Sequence, residues 1–429
     1  MPRKTNRRRF LSAAAASTAA WTILADSRSA FGYQANEKLS LAIIGAGGRG
    51  AANLQGVQSE NIVAFCDVDQ RRAAETYARY PDVKKYADYR KLLDEMDKQL
   101  DAVVVSAPNH IHVPATVTAM RMGKHAYCEK PLAHSIAEVR LAAKVAAEKG
   151  VATQMGTQIH ASENYRRIVE LIRAGAIGEV RECHCYLRSS RSAGDRPTDT
   201  PPIPDGLNWD LWLGPAPERP YHPCYVPHDW HYWWDFGGGE FGNMGCHYFD
   251  LAFWALDLRA PKTIEANGSP PHAESTPAFQ HVCCHFDARG QLPPVVLTWT
   301  HGPKETVDEK SELPNWAWGV FVGSEGKLLV SYDKHMLLPA EKFEGFQPPQ
   351  PSIPPSVGHH REWIDACKTG SPTTCNFDYS GAVTEAMLLG NIAYRTGQTL
   401  EWNAQEARFP NCPKADDLLR REYRRGWEL

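Results

Sequence analysis

The sequence predicts an α/β protein with a doubly wound parallel sheet, followed by an α/β domain whose open sheet is mostly antiparallel. Short apolar strands that alternate with helical patterns indicate the first sheet, and strand patterns that follow one another indicate the second. The predicted domains are residues 35–156 and 157–400, preceded by a leader region at 1–34 and followed by a C-terminal tail at 401–429.

The first predicted strand ends in a glycine-rich turn. The apolar run LSLAII leads directly into the pattern G-x-G-x-x-G, which begins at Gly45, and a helical pattern follows. Glycines at this spacing allow a tight turn and bring the free N–H groups of a helix start close to a pyrophosphate. The pattern predicts a Rossmann domain that binds a dinucleotide, and a strand-turn-helix without a ligand is the alternative. The predicted phosphate-binding residues are Gly45, Gly47, Gly48, Arg49 and Gly50.

A second apolar strand ends in an acid about twenty residues after the glycine turn. This acid, Asp67, would hydrogen-bond the ribose hydroxyls of adenosine and would repel a 2′-phosphate. The sequence therefore favours NAD over NADP as the cofactor. Arg71 and Arg72 lie close enough in sequence to weaken that preference.

The later strands of the first domain end at the edge where doubly wound sheets bind ligands. A valine-rich strand stops at Pro108, and a shorter one is interrupted by Lys130 and Pro131. The predicted strands are residues 100–106, 124–129 and 151–156, and the predicted helices between them are residues 112–122 and 136–149.

Together these features resemble the Gfo/Idh/MocA family, named for glucose-fructose oxidoreductase, inositol dehydrogenase and rhizopine catabolism. The block GKHAYCEKPL at residues 123–132 carries the likeness and is far more specific than the glycine turn. The likeness runs from about residue 38 to about residue 400. It implies a place for Glu129 near the nicotinamide ribose and a role for Lys130 in proton transfer. The motif residues that it places at the cofactor are Pro108, Asn109, His112, Glu129 and Lys130.

The chemistry of Lys130 supports that role independently of the family. A lysine at the carboxyl end of a strand, fixed by a following proline, is held in place. Burial and a nearby cationic nicotinamide would both lower its pKa from about 10.4 towards neutrality. The amine would then accept the proton of a substrate hydroxyl while hydride leaves for the ring. An exposed loop lysine is the alternative.

Successive strands replace the alternating pattern in the second domain. Strands grouped in this way predict a mostly antiparallel sheet that is open on one face. The family likeness implies that this sheet makes the oligomer contact, so a homodimer or homotetramer is expected. The predicted strands are residues 180–187, 280–286, 295–300, 320–323 and 327–332. Two helices that should pack back on the first domain are predicted at residues 359–368 and 379–395. The charged tail from Asp416 is expected to be a solvated helix or a peripheral arm.

An aromatic insertion at residues 208–241 holds five of the thirteen tryptophans. Such rings stack on the C–H faces of sugars while histidines bind the hydroxyls, so a carbohydrate is the expected partner. Core packing is the alternative, and it is equally compatible with Trp209 and Trp212. The predicted substrate contacts are Gln158, His228, His231, Trp233, Trp234 and His247.

The insertion runs into GGGEFGNMGCHYFD, which resembles the second catalytic block of the family. If Asn243 begins a helix, it shares one face with His247 and Asp250. The family has an acid where this chain has Asn243, and an amide cannot exchange a proton. Lys130 and His247 would carry the acid-base work, with Asn243 as the third predicted catalytic residue. A histidine that only packs a helix face is the alternative.

Composition excludes several classes of protein. The chain has 429 residues, is 43% apolar and 23% charged, and carries a net charge of −3. Nothing resembles a basic nucleic-acid surface or a polybasic membrane patch, so no nucleic-acid partner is expected. No metal site is predicted. The eleven cysteines contain no C-x-x-C, and strand alternation places Cys283 and Cys284 on opposite faces, which favours core packing.

The leader predicts export. The run NRRRFL at residues 6–11 resembles a twin-arginine signal, and the mild apolar run after it is too short to anchor in a bilayer. A periplasmic mature chain without a membrane span is therefore expected, and a basic disordered tail is the alternative. Since this export route carries folded proteins, a tightly held cofactor could travel with the chain.

Three functions follow from these patterns. The first is an NAD-dependent oxidoreductase acting on a sugar or polyol with a retained cofactor. The second is a redox-neutral glycoside hydrolase, in which the same cofactor oxidises a glycoside, the leaving group departs by elimination, water adds, and the sugar is reduced again. The third is a sugar-binding protein that has lost turnover, which only Asn243 supports.

Overall fold

The structure is a computed structural model that describes residues 37–429, and two sheets organise these residues. The leader predicted at residues 1–34, with its twin-arginine motif, lies outside the described residues. Within residues 37–429, no helix is both long and apolar enough to cross a bilayer.

The first sheet has six parallel strands in the order β3-β2-β1-β4-β5-β6, which confirms the predicted doubly wound sheet. Its strands are β1 (Ser40–Ile44), β2 (Asn61–Cys66), β3 (Lys84–Tyr86), β4 (Ala102–Val105), β5 (His125–Cys128) and β6 (Thr153–Met155). Its helices are α1 (Arg49–Val57), α2 (Gln70–Arg79), α3 (Tyr89–Met96), α4 (Asn109–Arg121) and α5 (Ile136–Lys149).

The second sheet has eight strands in the order β13-β12-β11-β7-β10-β9-β8-β14. Only the β7–β10 pair is parallel, so the mostly antiparallel sheet is confirmed. Its strands are β7 (Val180–Leu187), β8 (Thr263–Gly268), β9 (Gln280–Phe286), β10 (Val295–His301), β11 (Gly319–Gly323), β12 (Lys327–Val330), β13 (His335–Leu338) and β14 (Leu400–Glu401). The accompanying helices are α6 (Glu163–Arg173), α7 (Trp209–Leu213), α8 (Gly239–Leu256), α9 (Lys304–Ser311), α10 (His359–Thr369) and α11 (Phe377–Thr396).

One apolar core joins the two sheets. Val103 and Val105 of β4 face this core, whereas Val104 between them faces a smaller core on the other side of the first sheet. The larger core continues to Cys284 and Leu297 on the inner face of the second sheet. Because this packing is continuous, the carboxyl edge of the first sheet is held at a fixed distance from the second domain.

The C-terminal segments return to the first domain. Helix α10 contacts α1 and helix α11 contacts α5, as the sequence predicts. The residues after α11 differ from the prediction of a peripheral arm, because Leu419 and Trp427 are buried. Arg421 anchors this tail through hydrogen bonds to Glu138 of α5 and to the carbonyl of His110 in α4.

Candidate active site

A single cleft crosses the carboxyl edge of the parallel sheet, with an empty volume of about 1340 Å³ including its open mouth. The glycine turn and Asp67 line one part of it, and Lys130 and His231 line another. The predicted cofactor residues and the predicted proton-transfer residue therefore open into the same space. Predicted site residues that line the cleft are Gly45, Gly47, Arg49, Asp67, Pro108, Asn109, His112, Glu129, Lys130, His228 and His231.

The glycine turn leaves no room for side chains at its two ends. Gly45 has a φ of +85°, and a Cβ there would lie 2.7 Å from the carbonyl oxygen of Ser106. A Cβ on Gly50 would lie 1.6 Å from the carbonyl oxygen of Gly45. Gly48, with a φ of +52°, caps helix α1. The helix start can pack this tightly against the strand only because these positions are glycine, as dinucleotide binding requires.

Asp67 braces the glycine turn from the end of β2. Its carboxylate accepts hydrogen bonds from the backbone N–H groups of Gly47 at 3.0 Å and Asp69 at 2.9 Å. Burial raises the pKa of Asp67, and these two hydrogen bonds oppose the rise. Arg71 is held in a bidentate pair with Asp69, whereas Arg72 lines the cleft. Arg71 and Arg72 are the two arginines whose positions in the sequence weaken the preference for NAD. Of these two, only Arg72 lines the cleft.

Lys130 follows strand β5, and its peptide bond to Pro131 is cis. Its Nζ donates to the backbone oxygen of Asn243 at 2.7 Å and to Oδ1 of the same residue at 2.8 Å. Burial lowers the pKa of Lys130, and the charge of Glu129 partly opposes this. The amine is thus held by two acceptors at a point where burial makes it easier to deprotonate than an exposed lysine.

Glu129 links the phosphate-binding helix to the lysine. Its Oε1 accepts hydrogen bonds from Arg49 at 2.8 Å, Asn53 at 2.9 Å and Gln158 at 2.8 Å. Burial raises the pKa of this carboxyl group, but the charge and hydrogen bonds of Arg49 and the bond from Asn53 bring it below its usual value. Gln158 does not line the cleft, so the structure places this predicted substrate contact as a support for Glu129.

Helix α8 carries the second predicted catalytic block. Asn243 accepts a hydrogen bond from Lys130, and the backbone oxygen of His247 accepts one from Tyr165 at 2.8 Å. Burial and the charge of Lys130 lower the pKa of His247 to about 3, so the imidazole is neutral at physiological pH. Its Nδ1 is buried without a hydrogen-bond partner among the described residues. Asp250 bonds to other groups, its Oδ1 lying 2.9 Å from Nδ1 of His160.

The aromatic insertion divides into cleft residues and core residues. His228, Trp230 and His231 line the cleft, and the rings of Trp230 and His231 stack with centroids 3.6 Å apart. Burial lowers the pKa of His231 to about 3, and the charge of Lys130 adds to this effect. Besides Gln158, three predicted substrate contacts do not line the cleft: Trp233, Trp234 and His247. The Trp233 side chain is 1% exposed and donates to the carbonyl of Cys224, and Trp234 donates to the carbonyl of His272.

Three residues of the family motif lie between the two parts of the cleft. Pro108 precedes helix α4, and Asn109 is its first residue. His112 uses both ring nitrogens within the protein, with Nδ1 2.7 Å from the carbonyl oxygen of Pro131 and Nε2 2.8 Å from that of Ala107. His112 therefore fixes the turn that carries Lys130 while one side of its ring faces the cleft.

Two residues near the site were not predicted from the sequence. Glu240, in the first turn of α8, is fully buried, and its Oε1 accepts hydrogen bonds from Ser189 and Arg191, both at 2.6 Å. Trp427 of the tail lines the cleft and packs on the guanidinium of Arg90 at 3.8 Å. The only available signal for Glu240 was an acid one turn before Asn243, and nothing in the sequence places Trp427.

Comparison with known proteins agrees with this geometry. A family model described as "Oxidoreductase family, NAD-binding Rossmann fold" matches residues 39–157. A second model of the same family, described as "Oxidoreductase family, C-terminal alpha/beta domain", matches residues 189–429. The chain belongs to the Gfo/Idh/MocA oxidoreductase family. Its first domain is an NAD-binding Rossmann domain, as the glycine turn and Asp67 predict.

Individual Gfo/Idh/MocA proteins are more distant. Inositol 2-dehydrogenase from Burkholderia multivorans is 31% identical over 185 residues, covering 41% of this chain and 54% of that protein. The chain spans about half the length of the inositol dehydrogenases that it matches. GenD2 from gentamicin A biosynthesis, solved with NAD, has a TM-score of 0.61 at 20% identity and covers 87% of this chain and 99% of its own. The WlbA dehydrogenase of Bordetella pertussis, solved with NADH and UDP-GlcNAcA, has a TM-score of 0.60 at 15% identity and covers 86% and 99%. At these identities the two solved structures support the fold alone.

The described residues fit NAD. A glycine cradle, in which Gly45 and Gly50 have no room for a side chain, lies at the start of α1. The carboxylate of Asp67 stands at the end of β2. The free side of this cradle faces the same cleft as Lys130. The residues that would hold NAD are the glycine turn with Asp67 at the adenosine part of the cleft, and Glu129 with Lys130 at the nicotinamide part.

Proposed function

We propose that this Gfo/Idh/MocA protein is an NAD-dependent oxidoreductase that interconverts a secondary hydroxyl and a carbonyl of a sugar or polyol. The observation that carries the proposal is the position of Lys130. Its amine is held by Asn243 and lies in the same cleft as the glycine turn. A dinucleotide bound along that cleft brings its reactive end towards the amine.

Lys130 acts on the proton of the reacting hydroxyl. In its neutral form the Nζ accepts this proton while the carbon–hydrogen bond breaks and the carbon–oxygen double bond forms. Bound NAD supplies the acceptor for the hydride, which balances the oxidation of the substrate. Burial lowers the pKa of Lys130, which makes its neutral form more accessible as a base than that of an exposed lysine.

The neighbouring groups orient the substrate and the amine. Asn243 offers two oxygens to Lys130, which fixes the direction of its lone pair or protons. His231 lines the cleft as a neutral imidazole, so it binds a hydroxyl without adding positive charge beside Lys130. His247, one turn after Asn243 on α8, is also neutral. Trp230, stacked on His231, offers its ring to the apolar face of a sugar.

The cofactor is proposed to stay bound between turnovers. The insertion and the tail both contribute to the cleft, through Leu211, Trp212, Val226 and Trp427. A dinucleotide lying there would contact both domains, which favours slow release. This matches the proposed twin-arginine export to the periplasm, where a retained cofactor would be regenerated by a second substrate. Fusion of residues 1–34 to a reporter that folds before export tests the localisation, since a cytoplasmic reporter would contradict it.

The central test replaces the lysine. The full chain is purified, denatured, and its released nucleotide identified by mass and absorbance, and reduction of bound NAD is followed with a panel of sugars and polyols. We expect Lys130→Met to keep the nucleotide and to lower turnover by about 10²- to 10⁴-fold. Lys144→Met, on the exposed face of α5, is the matched control and should not change turnover. Unchanged turnover in Lys130→Met would remove the lysine from the mechanism.

The same preparation separates the two alternative functions. Release of an aryl alcohol from aryl glycosides without net NADH would assign the redox-neutral cleavage instead. Binding of NAD and a sugar without hydride exchange from a labelled substrate would assign a binding protein. Accumulation of NADH with a sugar or polyol and no added acceptor supports the proposed oxidoreductase.

A further inference from the structure

The open face of the second sheet carries a compact group of three metal-binding side chains, Glu265, Cys283 and His285. Strand register places Glu265 of β8 directly opposite Cys283 of β9. His285 lies two residues further along β9 and therefore on the same face. Their ligand atoms all lie within 4.8 Å of one another.

Two of the three distances between these atoms are close to those in a tetrahedral zinc site. Zinc–sulfur bonds of about 2.3 Å and zinc–nitrogen or zinc–oxygen bonds of about 2.0 to 2.1 Å put the sulfur and nitrogen about 3.6 Å apart and the nitrogen and oxygen about 3.3 Å apart. Here Sγ of Cys283 lies 3.4 Å from Nε2 of His285, which lies 3.7 Å from Oε1 of Glu265. We propose that Glu265, Cys283 and His285 bind one Zn²⁺, with the fourth position open to water or another ligand.

Within a single chain, the surroundings allow an ion to enter. The side chains of Glu265 and His285 are 53% and 45% exposed, while Cys283 is nearly buried beside them. A shallow pocket adjoins the group, lined by Asn267, His281 and the turn Gly397–Thr399. Zinc requires a thiolate, so binding would exchange the Cys283 thiol proton for the ion and release the proton to solvent.

The site is separate from the cleft. Cys284, the neighbour of Cys283 in β9, points to the opposite face and belongs to the core under α8 and α11. Strand alternation therefore places the proposed zinc on the face that those helices do not cover. No metal was predicted from the sequence because alternation separates Cys283 from Cys284, and the third ligand comes from β8, which the sequence did not reveal.

Metal binding to the full chain, without a histidine tag and after treatment with a chelator, tests the proposal. Titration with Zn²⁺ against a chromophoric competitor should show one equivalent of tightly bound Zn²⁺ per chain. Co²⁺ in its place should give a thiolate-to-cobalt charge-transfer band. Cys283→Ala and His285→Ala should lose the tight equivalent and the band, and Glu265→Gln should weaken affinity by about 10- to 100-fold.

Cys412→Ala is the matched control, because Cys412 is a half-buried thiol elsewhere in the chain. This variant should still bind one equivalent of Zn²⁺ tightly and should still show the charge-transfer band with Co²⁺. Thermal unfolding and dehydrogenase turnover should stay unchanged in Glu265→Gln and His285→Ala, which keeps this result independent of the proposed function. Absence of a tight equivalent in the parent chain, or its persistence in Cys283→Ala, would overturn the proposal.

Discussion

Individual charges around Lys130 set how readily it gives and takes a proton. Burial lowers the pKa of its amine, while the negative charges of Glu129 and Glu240 raise it. Glu129 also holds Arg49, so replacing it would disturb the cofactor side of the cleft. Glu240 lies on α8 and bonds instead to Ser189 and Arg191, which makes it the cleaner probe of charge alone.

Glu240→Gln should move the acidic limb of the kcat/KM pH profile to lower pH. The amide keeps the size of the side chain but removes a negative charge that raises the pKa of Lys130. The neutral amine then forms at lower pH, and the limb should shift by about one pH unit or less. Glu305→Gln, an exposed change in α9, should leave the profile in place. A shift to higher pH would contradict the assignment of Lys130 as the base.

The sequence predicted residues whose role is set by a local motif, and it was less reliable where packing decides. Asp67 and Lys130 follow strands directly, so their place at the carboxyl edge follows from the fold class. The insertion is different, because adjacent aromatic residues point in different directions. His231 lines the cleft while Trp233 is in the core, and only tertiary packing distinguishes them.

At the scale of elements, the strand-to-helix turn after β1 depends on close backbone contact. The Cβ that an alanine would add at Gly50 falls 1.6 Å from the carbonyl oxygen of Gly45. Helix α1 would have to move away from the strand to accommodate it. Its N-terminal N–H groups would then no longer be aimed at a bound pyrophosphate.

Gly50→Ala should lower the affinity for NAD by at least about a hundredfold, because the turn would present the backbone N–H groups that bind the pyrophosphate. Calorimetric titration of nucleotide-free protein measures this directly. Gly242→Ala is a suitable control, since this residue lies in α8 with no atom within 4 Å of the added Cβ. Equal NAD affinity in Gly50→Ala and the parent chain would show that the turn does not hold the pyrophosphate.

Elements with an apolar pattern were predicted, some with bounds that differ by a few residues, such as helix α4, which was predicted at residues 112–122 and spans Asn109–Arg121. Several polar strands were missed. Helix α5 and strand β7 begin and end where the sequence predicts. Strand β8, TIEANG, has no such pattern, because it lies near the edge of the sheet and most of its residues are not buried. Strand β3 likewise exposes two lysines.

At the scale of the whole molecule, distant segments close both the cleft and the core. The tail returns across the first domain, where Trp427 covers Arg90 and lies beside Tyr89. Sequence reasoning treated this charged tail as peripheral, because the contact of one tryptophan with residues more than three hundred positions away has no local signature.

Trp427→Ala should weaken NAD binding by about tenfold, because the ring covers the part of the cleft that Tyr89 and Asp69 line. Trp427→Phe keeps an aromatic ring and should recover most of the affinity. Both variants are measured by the same titration. An unchanged dissociation constant in Trp427→Ala would show that the tail does not contribute to the cofactor site.

A buried ion pair ties the C-terminal helix α10 to the start of the first sheet. Lys368 lies 2.8 Å from Oε2 of Glu60, their side chains are 7% and 3% exposed, and Glu60 also accepts a hydrogen bond from the N–H of Leu39. Lys368→Met should lower the free energy of unfolding by about 3 to 5 kcal/mol, because it leaves a carboxylate buried without its partner. Urea unfolding of the full chain measures the change.

The double variant Lys368→Met with Glu60→Gln should recover part of this loss, since the amide removes the uncompensated charge and still accepts from Leu39. Lys144→Met, in the exposed pair with Glu148, should cost about 1 kcal/mol or less. If Lys368→Met proved no more destabilising than Lys144→Met, the return of α10 to the first domain would depend on apolar packing alone. Trp363 and Cys367, which α10 places in the smaller core, would then be its anchors.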